Sequence, residues 1–283
     1  MPLKITAMSR HINPLQLALR LTAIILMLTS LPVLAIEWSN TELHFQYGEL
    51  EVPRFAAPFG EPSEDDTFIL TLQHASGWKY GDNFLFIDWL HASDSNTFND
   101  NNFYGEFYSN FSLGRLTGRD WSIGPIKDVG LVLGINMARD NNVIKYLPGV
   151  RFDLDLAGFK FAKLLVTAYL DDNDGPQSNP KNAPIEDDSW LVDFAWAYPF
   201  KLGSTSWSFE GHAEYIHQRD NEFGSTVHSW LLAQPQLRFD LGKQLWGVEK
   251  QLFIGIEYQY WNNKLGDKTT DESAVQALAV WRF

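Results

Sequence analysis

The chain has 283 residues, no cysteine, 14% aromatic residues and a formal charge of −13. That charge excludes a nucleic-acid binder, because phosphate would repel it. Without cysteine there are no disulfide staples, so stability has to come from hydrogen bonding and packing.

The first 35 residues differ from the rest. Lys4, Arg10 and Arg20 precede an uncharged run from Leu21 to Leu34, and Val33 and Ala35 supply the small residues of a peptidase site. This layout predicts a cleavable signal peptide over residues 1–35 and a mature domain over 36–283. The run is too short for the ~20 apolar residues of a spanning helix. Loss of the three leader cations leaves 19 Lys and Arg against 35 Asp and Glu, a charge of −16. Beyond Ala35 no stretch approaches ~18 uncharged apolar residues, which excludes helical membrane spans.

From there the chain reads as twelve strands, over 41–49, 67–76, 83–91, 103–113, 128–137, 148–156, 159–170, 189–198, 205–217, 227–240, 250–260 and 273–283. The fourth is typical: Phe103, Phe107, Phe111 and Leu113 fall on one face, Tyr104, Glu106, Tyr108 and Asn110 on the other. Period two marks a strand with one apolar face. The fifth repeats it with Val129, Leu131, Leu133, Ile135 and Met137. The segment 159–170 is the least regular.

Connections alternate in length, with long ones at 50–66, 92–101, 139–146, 171–188, 218–226 and 261–272. The links between them are mostly tighter, 114–127 being an exception. A barrel threaded from one side of a membrane has this alternation. With the long set on the cell exterior, an even strand number returns both termini to the periplasm. Trp38, Trp78, Tyr80, Trp121, Trp207, Trp246, Trp261 and Trp281 cluster near strand ends, as aromatic girdles do.

An open sheet edge in lipid leaves N–H and C=O groups unpaired at several kcal/mol each, so the strands must close. The expected fold is an all-β transmembrane antiparallel up-and-down barrel. A soluble lipocalin-like or sandwich fold is the alternative, with its apolar face turned inward.

If the apolar face meets lipid, the polar face lines the bore. It then holds Asp88, Tyr104, Glu106, Tyr108, Asn110, Arg151, Asp153, Asp155, Asp193, Glu210, His212, Glu214, Arg238 and Glu257. These groups could simply pair with one another across the bore. They could equally form a narrow channel in which tyrosines stack on planar rings and carboxylates bind hydroxyls, while net negative charge disfavours anions.

Glu210, His212 and Glu214 share a strand face but sit ~7 Å apart, too far for neighbours to share a metal. The loop 171–188 resembles a calcium loop only superficially, since Leu170 and Lys181 fall where carboxylates are required. There is no G-x-S-x-G and no nucleophile set on one face, His228 and Ser229 pointing apart, so no enzyme, cofactor or metal site is expected.

The stretch Tyr104-Gly105-Glu106-Phe107-Tyr108-Ser109-Asn110-Phe111-Ser112-Leu113, followed by Leu116-Thr117-Gly118-Arg119-Asp120 and Ser122-Ile123-Gly124-Pro125-Ile126-Lys127-Asp128, resembles the Tsx-type nucleoside channels and related OmpK outer-membrane proteins. The last strand, with Trp281 and a terminal Phe283, is similar to the recognition signal of the barrel-assembly machinery. The resemblance implies a monomeric twelve-stranded barrel in lipid and lipopolysaccharide, passive uptake of nucleosides, and loops that phages or colicins can exploit. Within the matching stretch Tyr104, Glu106, Tyr108 and Asn110 are the bore candidates. Arg151, Asp153, Glu210, His212, Glu214 and Arg238 join the substrate-binding candidates from strand pattern alone. A barrel that is non-selective, or plugged and purely structural or a receptor, is the alternative function.

Overall fold

A computed structural model describes residues 36–57, 63–93 and 100–283. The expected leader, and Pro58 and Pro62 of the first long connection, lie outside the described residues. Twelve antiparallel strands each pair with their chain neighbours, and the last pairs with the first to close the barrel. They are β1 (Ile36–Val52), β2 (Ser63–Trp78), β3 (Gly81–Ala92), β4 (Asn102–Ser112), β5 (Ile126–Ala138), β6 (Val143–Leu154), β7 (Phe161–Asp171), β8 (Ser189–Leu202), β9 (Thr205–Ile216), β10 (Trp230–Ala233 and Gln236–Asp240), β11 (Leu252–Asn262) and β12 (Glu272–Arg282).

Large apolar side chains are exposed along the outer faces of the strands, among them Phe45, Leu72, Ile87, Phe107, Leu131, Leu133, Met137, Ile254, Ile256 and Val275. So continuous an apolar surface needs lipid around it. Charged and amide side chains of the same strands, such as Glu42, Asn110, Arg238 and Glu257, are buried on the inner face. That distribution overturns the inward-facing apolar alternative.

Several boundaries differ from expectation. The link from β2 to β3 is only Lys79 and Tyr80, so Asp82 belongs to a strand and faces the bore, where it meets Arg151. The link 139–142 is short, because β6 begins at Val143. Asp155 lies beyond the end of β6 and is exposed, which removes it from the bore wall. β10 is interrupted where Pro235 has no N–H to donate. Opposite it stands Gly211 at φ 150, where a Cβ would come within 2.3 Å of the Gln234 carbonyl. Only glycine fits there.

The stretch that carries the family resemblance forms a built turn. Ser112 ends β4 and its hydroxyl accepts from Arg115 N (3.0 Å), capping the one-turn helix α1 (Leu113–Thr117). Gly118 closes that helix at φ 67, the left-handed position that favours glycine. Asp128, at the start of the next strand, accepts from Gly114 N (3.1 Å) and from the Ser112 hydroxyl. A second such turn follows β10, where Asp240 caps α2 (Leu241–Trp246) and Gly247 ends it. Both turns sit at the end of the barrel that holds the termini, with the links 79–80, 155–160 and 203–204.

Candidate functional site

Alternation puts every predicted bore residue on the inner wall except Asp155, and register sorts them into levels. The level nearest the termini is a girdle of ion pairs. Arg151 binds Asp82 through both Nη1 (2.7 Å) and Nη2 (2.6 Å), and reaches Asp153 at 3.0 Å. Lys163 and Asn110 also donate to Asp82, at 3.3 and 3.2 Å. On the far wall Glu42 accepts from Arg238 (3.1 Å) and Arg282 (2.6 Å), and His44 lies 2.9 Å from it. Arg238 also faces Glu210 at 3.4 Å. A carboxylate and its cations buried together satisfy each other at a desolvation cost, and they lock the wall geometry.

Mid-barrel, the residues change character. Tyr104 donates to Glu106, Asn136 Nδ2 donates to the same carboxylate at 2.8 Å, and the Tyr108 hydroxyl donates to Asn136 Oδ1 at 3.2 Å. Across the bore His212 is held between Asp193 (2.9 Å) and Gln234 Oε1 (2.9 Å), so both ring nitrogens face oxygen acceptors. Gln236 and Gln276 donate to Glu257, at 2.5 and 2.9 Å. Asp88 accepts from the Thr71 hydroxyl at 2.6 Å. Thus Glu210 is engaged by Arg238 and by Ser208, and His212 by its own partners, rather than by a shared ion.

Between these levels lies a cavity of about 340 Å³, in the size range of small-molecule sites. Glu106, Tyr108, Asn110, Arg151, Glu210, His212, Glu214 and Arg238 all line it; Tyr104 stands beside it and Asp153 behind Arg151. Phe84 and Phe86 complete its aromatic side: Phe86 packs against Phe84 at 6.1 Å and against Tyr104 at 5.9 Å. Neither was expected to face the bore, yet both share the parity of Asp88, which was. Glu42, His44, Asp82 and Gln234 were missed as well: Asp82 lies just before the expected start of its strand and Gln234 at the break in β10, whereas Glu42 and His44 alternate on one face inside the expected strand 41–49 and were overlooked. Trp281 lies on the outer face opposite Leu43 and Leu252, and Phe283 is exposed, its N–H donating to Thr41 O at 3.0 Å.

Toward the loop end apolar side chains turn into the bore. Val132 and Leu165, at the cavity's edge, join Leu147, Tyr169, Leu191, Ile216 and Trp230 in one buried cluster, with Leu232 and Trp261 against it. Above this seal Lys145 donates to Asp171 and to Glu186 (2.7 Å), and Arg219 Nε donates to Glu186 at 2.6 Å. Burial pushes the Glu186 carboxyl up, but the neighbouring Arg219 and Lys145 hold it below its ordinary value.

A closed barrel with an apolar belt, a polar inner wall and a cavity within the bore defines an outer-membrane channel. The chain belongs to the family described as "Nucleoside-specific channel-forming protein, Tsx", which its sequence matches over residues 44–280. Solved structures of similar fold include the NanC porin (11% identity, TM-score 0.48, covering 84% of this chain and 98% of that one). An outer membrane channel from Pseudomonas putida F1 is similar at 7% identity and TM-score 0.46, covering 90% and 97%. The KdgM porin is similar at 8% identity and TM-score 0.43, covering 86% and 99%. No curated protein matches the sequence.

Proposed function

We propose that this channel takes up nucleosides. The observation that carries the reading is the two-sided cavity, with Phe84, Phe86, Tyr104 and Tyr108 on one side and Asp193, His212, Glu214 and Gln234 on the other. A nucleoside has the matching two-sided chemistry: a flat base to stack and a sugar that donates hydroxyls. Asp88, Glu106, Asp193, Glu214 and Glu257 crowd the mid-barrel level and offer oxygens to the hydroxyls of a sugar. In planar bilayers adenosine should block ion current while sugars and amino acids do not. Replacing Tyr104 or Tyr108 by Ala should weaken that block by ~1–3 kcal/mol if each ring stacks on the base. Indifference of the wild-type current to nucleosides would refute the reading.

In this reading the leader is removed, both termini face the periplasm, the protein works as a monomer, and Trp281 and Phe283 present the last strand to the assembly machinery. The apolar loop-side half favours a second reading, a barrel that docks phage or colicin without selective transport. Unchanged nucleoside uptake at limiting concentration after gene deletion would support that one.

A further inference from the structure

We propose that the outer face of β2 to β5 carries, at its loop end, a site for a phosphorylated acyl glycolipid of the lipid A class, with Arg139 as the phosphate contact. The inference goes beyond the nucleoside reading and rests only on the orientation given with it, in which the loop end lies in the outer leaflet. Register aligns the patch across four strands. Leu70 stands opposite Trp89, Trp89 opposite Phe103, and Arg139 N donates to Phe103 O at 2.9 Å. One step nearer the loops, Phe68 pairs with His91. These residues continue the outward parity of Leu72, Ile87, Phe107 and Met137, all of them exposed.

Rings and cations form one shelf there. Phe68 meets Trp89 edge-on at 6.1 Å, the His91 ring stacks on Trp89 at 5.8 Å, and the Arg139 guanidinium carbon lies 5.6 Å from the Phe103 ring. Stacking holds the guanidinium at the lipid boundary and leaves its N–H groups open to an oxyanion. Among the described residues Arg139 makes no ion pair, whereas Lys145, Arg219 and Lys264, also at the loop end, are buried against Asp171, Glu186 and Glu272. Lipid A carries phosphates on a glucosamine disaccharide above several acyl chains. The shelf spans three strand spacings, about 14 Å, room for the disaccharide, and the exposed Ile87, Phe107 and Met137 continue below it as a surface for the chains. A second outward stack, Trp190 with His217 at 5.0 Å, stands at the loop end of β8 with Tyr215 rather than an arginine beside it. That stack serves as an internal control.

The test uses the full mature protein in detergent, titrated with lipid A, dephosphorylated lipid A or phosphatidylglycerol and read by native mass spectrometry. EDTA keeps the exposed Asp140, and Asp100 beside His91, from holding a phosphate through a divalent cation. Arg139→Ala should weaken lipid A binding about tenfold, the loss of one charge-assisted contact, while Trp190→Leu leaves it unchanged. Removing the phosphates should cost wild type more than it costs the Arg139→Ala protein, because both changes break the same contact. That comparison on wild type needs no variant to fold. Unchanged lipid A binding in Arg139→Ala, or equal affinity of wild type for phosphatidylglycerol and lipid A, would overturn the site. Orientation is read separately: the chain has no cysteine, so Lys181→Cys, in the connection 172–188, should take an impermeant maleimide on intact cells. Labelling only after lysis would overturn the orientation, and with it the site's place in the cell, whatever the binding in detergent.

Discussion

The two halves of the bore are stabilised by opposite means. Toward the termini, Asp82 with Arg151 and Glu42 with Arg238 and Arg282 brace the wall around a cavity. Toward the loops, Leu147, Leu191 and Ile216 meet inside the barrel and leave almost nothing exposed. A bore held open needs directional bonds that keep walls apart, whereas a bore held shut needs only apolar side chains that meet. Under the proposed function, solute specificity belongs to the wet half and solute access to the dry half.

The largest effect is expected in the wet half. Glu42→Ala would leave Arg238 and Arg282 buried without their shared carboxylate, and breaking such a group costs about 3–5 kcal/mol. Urea unfolding of the protein in lipid vesicles, followed by circular dichroism, would read that loss; a variant as stable as wild type would show the girdle to be ornamental. In the dry half, Leu191→Ala should cost about 2–5 kcal/mol through the cavity it leaves, and hydrogen exchange should quicken at the loop end before it does at the girdle. Equal quickening at both ends would mean that the halves are not independent.

A smaller effect concerns pH. The Glu186 carboxyl is held below its ordinary value of 4.5, so its stabilisation is complete above that value and is lost as pH falls below it toward the folded-state value. Exchange in the connection 172–188 should therefore accelerate in acid, and Glu186→Gln should abolish the acid step. Persistence of the step in that variant would assign it to another group. The smallest change is expected at the terminus-side turns, where Ser112→Ala removes the cap of α1 at about 0.5–2 kcal/mol and should leave adenosine block untouched.

The same contrast governs what the sequence disclosed. In the wet half polar residues face in and apolar residues face out, so Tyr104, Glu106, Tyr108, Asn110 and Arg151 were placed correctly from alternation alone. In the dry half both faces are apolar: Leu191 faces in between Trp190 and Val192, and Leu165 faces in between Leu164 and Val166. Period two vanishes there, which is why the segment 159–170 looked irregular and why the seal was not foreseen. The aromatic side was legible but overlooked, because Phe84 and Phe86 resemble their outward neighbours Leu85 and Ile87 in everything except parity. Nothing in the residues between Ala233 and Gln236 except Pro235 announced the break in β10. Its partner Gly211 gains meaning only once the register sets the two opposite each other.

The closure of the barrel has a kinetic side. β1 meets β12 over only the span from Glu42–Arg282 to Tyr47–Ala277, whereas β1 and β2 pair along nearly their whole length. Above that short seam Lys264 donates to Glu51 O (2.6 Å) and to Glu272 (2.5 Å), and Glu272 accepts from Glu51 N at 2.7 Å. Every other junction can form as the chain is laid down, hairpin by hairpin, but the seam joins residues separated by almost the entire sequence. It closes the longest loop and is the junction held by the fewest paired positions, so side chains of Lys264 and Glu272 act as the fastener that keeps a finished cylinder from reopening along its first and last staves.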